Sequence, residues 1–301
     1  MVSRYSLKQF PNCETPKMTS KYNYAAFILT HGRPHNVLTY NTLRKYGYTG
    51  RVVIVIDNED KTGDDYRKVF GEENVVMFDK AAIGKTFDIA DTRTDRRATV
   101  FARNAAFDIA RDLGLDYHIQ LDDDYQWFGY RKLENGVLRG IPTKKLDALF
   151  EALIDFMEAS DAVTVAMSQG GDHIGGSKIR KREFINRKAM NSWIFRTERP
   201  LTFVGRMNDD VNTYVMNGIR GEKIFTLNEL CLVPAITQSL AGGMTEMYLD
   251  TGTYMKSMYT VMMAPSCVKV RQMGPTNPRL HHQIKWENTV PKIINQKHQK
   301  I

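Results

Sequence analysis

Asp116-Tyr117-His118-Ile119-Gln120-Leu121-Asp122-Asp123-Asp124 reads as a short buried strand that stops in three consecutive carboxylates, with Tyr125, Gln126, Trp127 and Phe128 behind them. Three like charges at a strand end are costly, because each raises the energy of ionising the next. A divalent cation removes that cost, and carboxylate oxygens are the donors that Mg²⁺ and Mn²⁺ prefer. Asp122 and Asp124 have the D-x-D spacing in which two carboxylates share one metal ion while the metal holds a diphosphate. Taken alone, the triplet is more simply an acidic turn after a strand. The neighbouring segments reverse that preference.

Upstream, residues 24–29 (YAAFIL) form an apolar run of strand type, and Thr30-His31-Gly32-Arg33-Pro34 breaks it into a loop. Residues 36–45 then read as a helix with Val37, Leu38 and Leu43 available for its apolar face. Residues 51–56 (RVVIVI) are a second buried strand ending at Asp57, 64–70 a helix, and 74–78 a third strand. Strand and helix alternating this tightly imply right-handed crossovers and a parallel sheet with helices on both faces. Ligands of such sheets bind beyond the carboxyl ends of the strands, where Thr30, Arg33 and Asp57 lie.

Residues 81–97 are polar and lack a period, which predicts a long loop. A helix over 95–113 follows, closed by Gly114, with Ala98, Phe101, Ala102, Ala105, Ala106 and Ile109 in one stripe. On it, Arg96 and Arg103 share one side, as do Arg97 and Asn104; these are solvated charges or groups that reach a nucleotide. Residues 146–157 predict a helix and 162–167 a strand, followed by Gly170-Gly171 and Gly175-Gly176. That glycine order matches neither the dinucleotide fingerprint nor a phosphate-binding loop. Asp209-Asp210 form a second acidic cluster before a helical run, and helix capping explains one aspartate more easily than two. A strand lies within 223–234, the Met-rich segment 254–263 is most simply core, and 266–271 is a late strand. The pair His281-His282, on its own, reads as surface more readily than as metal ligands.

The chain has 301 residues, enough to bury a substantial core, and no apolar run of the roughly 20 residues needed to span a bilayer. Its N-terminus lacks the apolar core of a secretory signal, and Cys13, Cys231 and Cys267 have no metal-site spacing, so a cytoplasmic location is expected. The formal charge is +8, and Lys178 to Arg206 carries nine basic against two acidic residues, a net +7. Charge this concentrated favours a polyanionic partner. Trp193 and Phe195, inside that stretch, are either base-stacking or core.

Read together, these motifs resemble a glycosyltransferase of the GT-A type. The matching pieces are the first strand with Thr30-His31-Gly32-Arg33-Pro34, the second strand ending at Asp57, the Arg103-Asn104-Ala105-Ala106 helix, Asp122/Asp124, Gly170-Gly171, Asp209-Asp210 and a late histidine. More narrowly, the chain resembles the bacteriophage glycosyltransferases that attach glucose or arabinose to 5-hydroxymethylcytosine in viral DNA. The resemblance implies an α/β, Rossmann-like, mostly parallel central sheet with helices on both faces. It implies one catalytic domain over 23–290, with a nucleotide-sugar half to about 130 and an acceptor half beyond. An extension over 1–22 and a basic tail over 291–301 flank that domain.

Implied roles follow by position. Thr30, Arg33 and Asp57 hold the nucleoside, and Arg97, Arg103 and Asn104 contact nucleotide or sugar. Asp124 ligates Mn²⁺ or Mg²⁺, with Asp122 assisting at the ribose or a metal-bound water, and His281 or His282 completes the shell. The donor is a nucleotide-sugar, a UDP-sugar first of all, and the partner is duplex DNA carrying hydroxymethylated cytosine in the host-cell cytoplasm, with no membrane. If the anomeric configuration inverts, Asp209 or Asp210 is the general base; if it is retained, they position the acceptor. Competing readings are a protein or glycan acceptor, a sugar-nucleotide nucleotidyltransferase, which would need an early glycine-rich phosphate loop, and a non-catalytic DNA-binding domain, which would not need the intact D-x-D motif.

Overall fold

The computed structural model describes residues 20–90, 94–173, 185–235, 244–274 and 278–293. Lys178, Arg180, Lys181 and Arg182 of the basic stretch, Gly175, Gly176, Gly242, Gly243, Cys13, most of the N-terminal extension and most of the tail lie outside these residues. In chain order the elements are β1 (Tyr24–Leu29), α1 (Leu38–Lys45), β2 (Arg51–Asp57), α2 (Gly63–Phe70), β3 (Val75–Phe78), α3 (Lys80–Ile83), α4 (Val100–Asp112) and β4 (Tyr117–Asp122). The second half adds β5 (Tyr125–Glu134), β6 (Val137–Pro142), α5 (Leu146–Ser160), β7 (Thr164–Ser168), β8 (Ile185–Asn186), β9 (Trp193–Arg196), α6 (Asp209–Ile219) and β10 (Ile224–Pro234). Last come α7 (Met244–Met263), β11 (Val268–Met273) and β12 (Arg279–Ile284).

A ten-stranded sheet runs β3-β2-β1-β4-β9-β7-β10-β5-β6, with β8 beside β10. The β3-β2-β1-β4 part is parallel, β7 and β10 are parallel, and β9, β5, β6 and β8 pair antiparallel to their neighbours. Leu29 stands opposite Asp122, and Asp57 opposite Phe78, so these strands end along one edge. The chain leaves β1 toward β2 and β3 and returns to β4 on its other side. That reversal opens a crevice between β1 and β4, the place where such sheets take ligands.

Side-chain alternation along each strand builds the two faces. Ala25, Phe27 and Leu29 of β1 pack with Val53, Val55 and the Phe101, Ala105, Ala106 and Ile109 stripe of α4. Tyr24, Ala26 and Ile28 pack with Ile54, Leu43, Tyr66 and the Leu149, Phe150 and Leu153 face of α5. Each fully buried large side chain stabilises the fold by about 1.5–3 kcal/mol. His118, fully buried among Phe27, Phe107 and Phe195, is a core residue, and burial drives its pKa down to about 3.

Several expectations change. The helix expected over 95–113 begins at Val100, leaving Arg96 and Arg97 in the preceding loop; Gly114, at φ 65°, closes it. The loop expected over 81–97 opens with α3, capped by Asp79, whose Oδ1 accepts from Ala82 N at 2.8 Å. Tyr125 to Pro142 form a hairpin turning at Asn135 and Gly136, both at positive φ as such a turn requires. Trp193 and Phe195 have 0% exposure and stack within the core, so they do not stack on bases. The segment 254–263 lies in α7 and is not simply core: Tyr259 is buried while Tyr254, Met255, Met258 and Met262 are exposed. α7 breaks at Gly252, whose φ of 72° and ψ of 173° suit glycine. Cys231 and Cys267 are buried free thiols.

Candidate active site

Backbone contacts fix the acidic turn between β4 and β5. Thr39 of α1 donates its hydroxyl to Asp122 O at 2.6 Å and its amide to Asp123 O at 3.1 Å, and its hydroxyl accepts from Tyr125 N at 2.9 Å. Ala235, just past β10, donates its amide to Asp124 O at 2.8 Å. Held this way, the three carboxylates diverge. Asp123 turns inward: Thr30 donates its hydroxyl to Oδ2 at 2.5 Å, and Arg33 Nε lies 2.9 Å from that oxygen as an ion pair rather than an aligned hydrogen bond. Asp122 keeps 34% of its side chain exposed. Asp124 has no ion pair among the described residues, and burial, then Asp122 and Asp123, pushes its carboxyl up to about 7. The middle aspartate is therefore structural, and Asp122 and Asp124 are left as the candidate D-x-D pair.

Arg103 of α4 joins this turn to the second acidic cluster. It is 4% exposed and donates from Nη2 to Asp122 Oδ1 at 3.1 Å and from Nε to Asp209 Oδ2 at 3.0 Å. Burial works against its charge, and Asp122 and Asp209 outweigh burial to hold its pKa above the ordinary arginine value. Its Nη1 is buried without a hydrogen-bond partner among the described residues. Asp209 and Asp210 open α6, yet neither caps it; the N-cap position is Asn208, in the left-handed region at φ 51°. Asn208 is held by Lys256 O at 2.7 Å. Burial raises the pKa of Asp209 against the pull of Arg103. Asp210 has no ion pair among the described residues, and burial followed by Asp209 lifts it to about 7. Gly205 lets the preceding loop approach: at φ 80°, a Cβ there would lie 2.6 Å from Asn212 Nδ2.

Across the crevice, Tyr66 donates or accepts with Thr30 Oγ1 at 3.0 Å and accepts from Arg33 N at 2.9 Å. Asp57 is already engaged, by His31 Nδ1 at 2.8 Å and buried Lys80 Nζ at 3.1 Å. Burial raises its pKa, but His31 and Lys80 outweigh burial and leave it below the ordinary value. Asp60 pins the loop by accepting from Gly32 N at 2.7 Å. His31, Lys80, Asp60, Tyr66 and Thr39 were missed in the sequence; His31 and Asp60 stand beside strand ends, which was the one available signal.

Other expected residues are employed elsewhere. Asn104 closes both its amide groups on the backbone of Phe203, at 2.9 Å each, rather than facing a nucleotide. Arg97 pairs with Asp95 at 3.1 Å and Asp250 at 2.6 Å. His281 and His282 lie on β12, apart from the acidic turn; burial, His281 and Lys256 depress the pKa of His282 to about 4. Among the described residues no three His, Cys, Asp or Glu gather into a metal-holding group, so the expected histidine is not brought to Asp122 and Asp124. The described members of the basic stretch are largely neutralised from within: Lys188 by Asp172, Arg196 by Glu158, Arg199 by Asp161 and Glu222, and Arg206 by Asp95.

Residues 24–243 match the family model of TET-associated glycosyltransferases. No curated protein matches the sequence. Among solved structures, a mannosyltransferase from Pyrobaculum calidifontis, in complex with GDP-Man and Mn²⁺, shares 13% identity over 73% of this chain and 59% of its own, with a TM-score of 0.45. Glucosyl-3-phosphoglycerate synthase from Mycobacterium tuberculosis, with Mn²⁺, UDP and phosphoglyceric acid, shares 7% over 88% and 87%, at 0.43. GalNAc-T7 with UDP, GalNAc and Mn²⁺ shares 12% over 71% and 44%, at 0.46. The chain thus spans less than two thirds of the length of the mannosyltransferase and of GalNAc-T7. No helix among the described residues is long and apolar enough to cross a membrane. With the family match running across most of the sheet and both acidic clusters, the chain belongs to the TET-associated glycosyltransferase family.

Proposed function

We propose that the enzyme transfers glucose or arabinose from a UDP-sugar to the hydroxyl of 5-hydroxymethylcytosine in duplex DNA. The observation that carries the catalytic part is the Arg103 bridge, which couples the D-x-D turn to Asp209 at the mouth of the β1–β4 crevice. The residues fit a divalent cation. Asp122 and Asp124 offer hard oxygen donors, and Asp124 has no ion pair among the described residues, with Arg33 offsetting its buried charge only in part. Those two carboxylates would hold Mn²⁺ or Mg²⁺. Such an ion, when bound, stabilises the charge that builds on the departing diphosphate.

The chain's own groups do the rest. Thr30, Arg33 and the His31–Asp57–Lys80 cluster line the nucleoside side of the crevice. Arg103, buried and forked, fixes Asp122 and Asp209 and keeps one N–H pair for the donor. The acceptor oxygen bonds to the anomeric carbon as that carbon's bond to the diphosphate oxygen breaks. In an inverting reaction the hydroxyl proton passes to Asp210, which has no ion pair among the described residues and whose pKa burial and Asp209 lift to about 7, as suits a general base. Asp209, tied to Arg103, then orients the acceptor. In a retaining reaction both aspartates position it.

The acceptor reading is supported by the resemblance to phage enzymes, by the family's stated association with TET and by the net charge of +8. The test is incubation with nucleotide-sugars and Mn²⁺ on duplexes containing hydroxymethylcytosine or cytosine, followed by mass analysis of the nucleosides. A sugar added to hydroxymethylcytosine alone is expected. Equal addition to both duplexes, or none to either while a protein or glycan is modified, would sink the acceptor assignment. Absence of diphosphate release with every donor would sink the donor assignment.

A further inference from the structure

The sequence predicts the polyanion surface at residues 178–206, yet the described cations there are mostly committed to carboxylates of the same chain. A second concentration of positive charge lies elsewhere. From Thr251 to Trp286 the chain contains Lys256, Lys269, Arg271, Arg279 and Lys285 and no Asp or Glu. Within this run β11 and β12 pair as a two-stranded ribbon outside the main sheet. A lone hairpin is marginal in water. This one is held by α7, whose Ser257 donates its hydroxyl to Leu280 O at 2.7 Å, and by Lys285 N bonding to Cys267 O at 2.7 Å.

The register sorts the ribbon into two faces. Lys269 and Arg271 of β11 alternate with buried Val268 and half-buried Val270. Arg271 stands opposite His281, and Met273 opposite Arg279. Lys269, Arg271, His281 and Arg279 therefore share one face. Lys269, Arg271 and Arg279 are exposed, and no carboxylate pairs with any of them among the described residues. Arg271 and Arg279 are diagonal neighbours across the ribbon, close enough for long side chains to meet, and no described carboxylate offsets either charge. Lys269 and Arg271 project about 7 Å apart, the scale of neighbouring phosphates along a nucleic-acid strand. A two-stranded ribbon also fits the major groove, where a C5 substituent of cytosine lies. The ribbon adjoins the acceptor side of the site, because successive residues of α7 touch both: Lys256 O accepts from Asn208 Nδ2, just before Asp209 and Asp210, at 2.7 Å, and Ser257 Oγ donates to Leu280 O of β12 at 2.7 Å.

We propose that the outward face of the β11–β12 ribbon, carrying Lys269, Arg271, His281 and Arg279, binds the phosphates of duplex DNA and presents its modified base toward Asp210. The proposal rests on the acceptor reading above and assigns it a surface. It is tested with Lys269→Gln/Arg271→Gln against wild type and the exposed control Arg139→Glu, by fluorescence anisotropy of a labelled hydroxymethylated duplex across a salt series. Two lost phosphate contacts lower the slope of log Kobs against log salt by about 1.8, so the loss of affinity from 50 to 200 mM salt shrinks about twelvefold. Acceptor-independent hydrolysis of the nucleotide-sugar and the melting temperature stay at wild-type values, and the control keeps the full slope. An unchanged slope in the double variant, with wild type still glycosylating the duplex, overturns the ribbon and leaves the acceptor reading standing. Wild type that neither binds nor modifies the duplex overturns both. Loss of heparin or duplex-RNA binding with DNA binding intact also overturns the proposal, reassigning the face to another polyanion.

Discussion

Replacing Arg103 by methionine removes the cation that bridges the two acidic clusters while keeping most of the side-chain volume. Arg103 is 4% exposed, and its partners sit at 3.0 and 3.1 Å. Breaking a buried ion pair by deleting one member costs about 3–5 kcal/mol, because a charge is left buried and unpaired. Asp122, 34% exposed, is partly screened, whereas Asp209 at 13% is not, so the lower figure of about 3 kcal/mol applies. At about 2 °C per kcal/mol for a chain of this size, the melting temperature should fall by roughly 6 °C. The assay is thermal unfolding followed by circular dichroism at pH 7 without metal. Arg103→Met/Asp209→Asn should recover more than half of the loss, since the orphaned charge goes with its partner. A single variant within 1 kcal/mol of wild type (about 2 °C), or a double variant no more stable than the single, would show that the bridge is not an energetic link.

Asp210→Asn should lower kcat by about 10²–10⁴ while nucleotide-sugar affinity, read by calorimetry, is kept; an unchanged kcat would remove Asp210 from proton transfer. Asp124 sets a pH dependence, because its folded pKa of about 7 exceeds the ordinary 3.8. An acid that holds its proton more tightly when folded favours the native state at low pH, and that advantage is lost as pH rises from about 4 through 7. Metal-free wild type should therefore lose on the order of 2 kcal/mol more than Asp124→Asn between pH 5 and 8 in urea unfolding, and parallel curves would contradict the burial argument. Mn²⁺ at about 100 times its Kd should raise wild-type stability by about 2.7 kcal/mol, and Asp124→Ala should abolish most of that gain; an equal gain in the variant would place the ion elsewhere. Gly205→Ala should destabilise by at least 1 kcal/mol from its positive φ and the clash with Asn212 and Tyr259, measured by the shift in urea midpoint.

Much of the fold is legible in the sequence because it is written in local pattern. β1 to β3 are unbroken β-branched or apolar runs, and α5 shows its apolar face at helical spacing. The β5–β6 hairpin is hard to read even though Asn135-Gly136 is a strong turn signal, since β6 is exposed along nearly its whole length and carries no buried alternation. The site was legible as residue types and illegible as wiring. Nothing local distinguishes Asp123 from its neighbours; its partner Thr30 is 93 residues away, and Arg103 finds Asp209 across 106. The described part of the basic stretch was illegible for the same reason. Its charge is plain, whereas the carboxylates that answer it come from α5, the Asp95 loop and the segment after β7.

Thr39 and Ala235 grip the acidic turn by its main chain, and Asp123 anchors it from within, so the loop's path does not depend on the side chains at 122 and 124. The turn behaves as a socket into which other ligating groups can be fitted. Installing histidine at position 124 would shift cation preference from Mn²⁺ toward Zn²⁺ and Co²⁺ while the socket keeps its shape. Rank-ordering transfer rates over a panel of divalent ions would show whether this glycosyltransferase can be retuned one residue at a time.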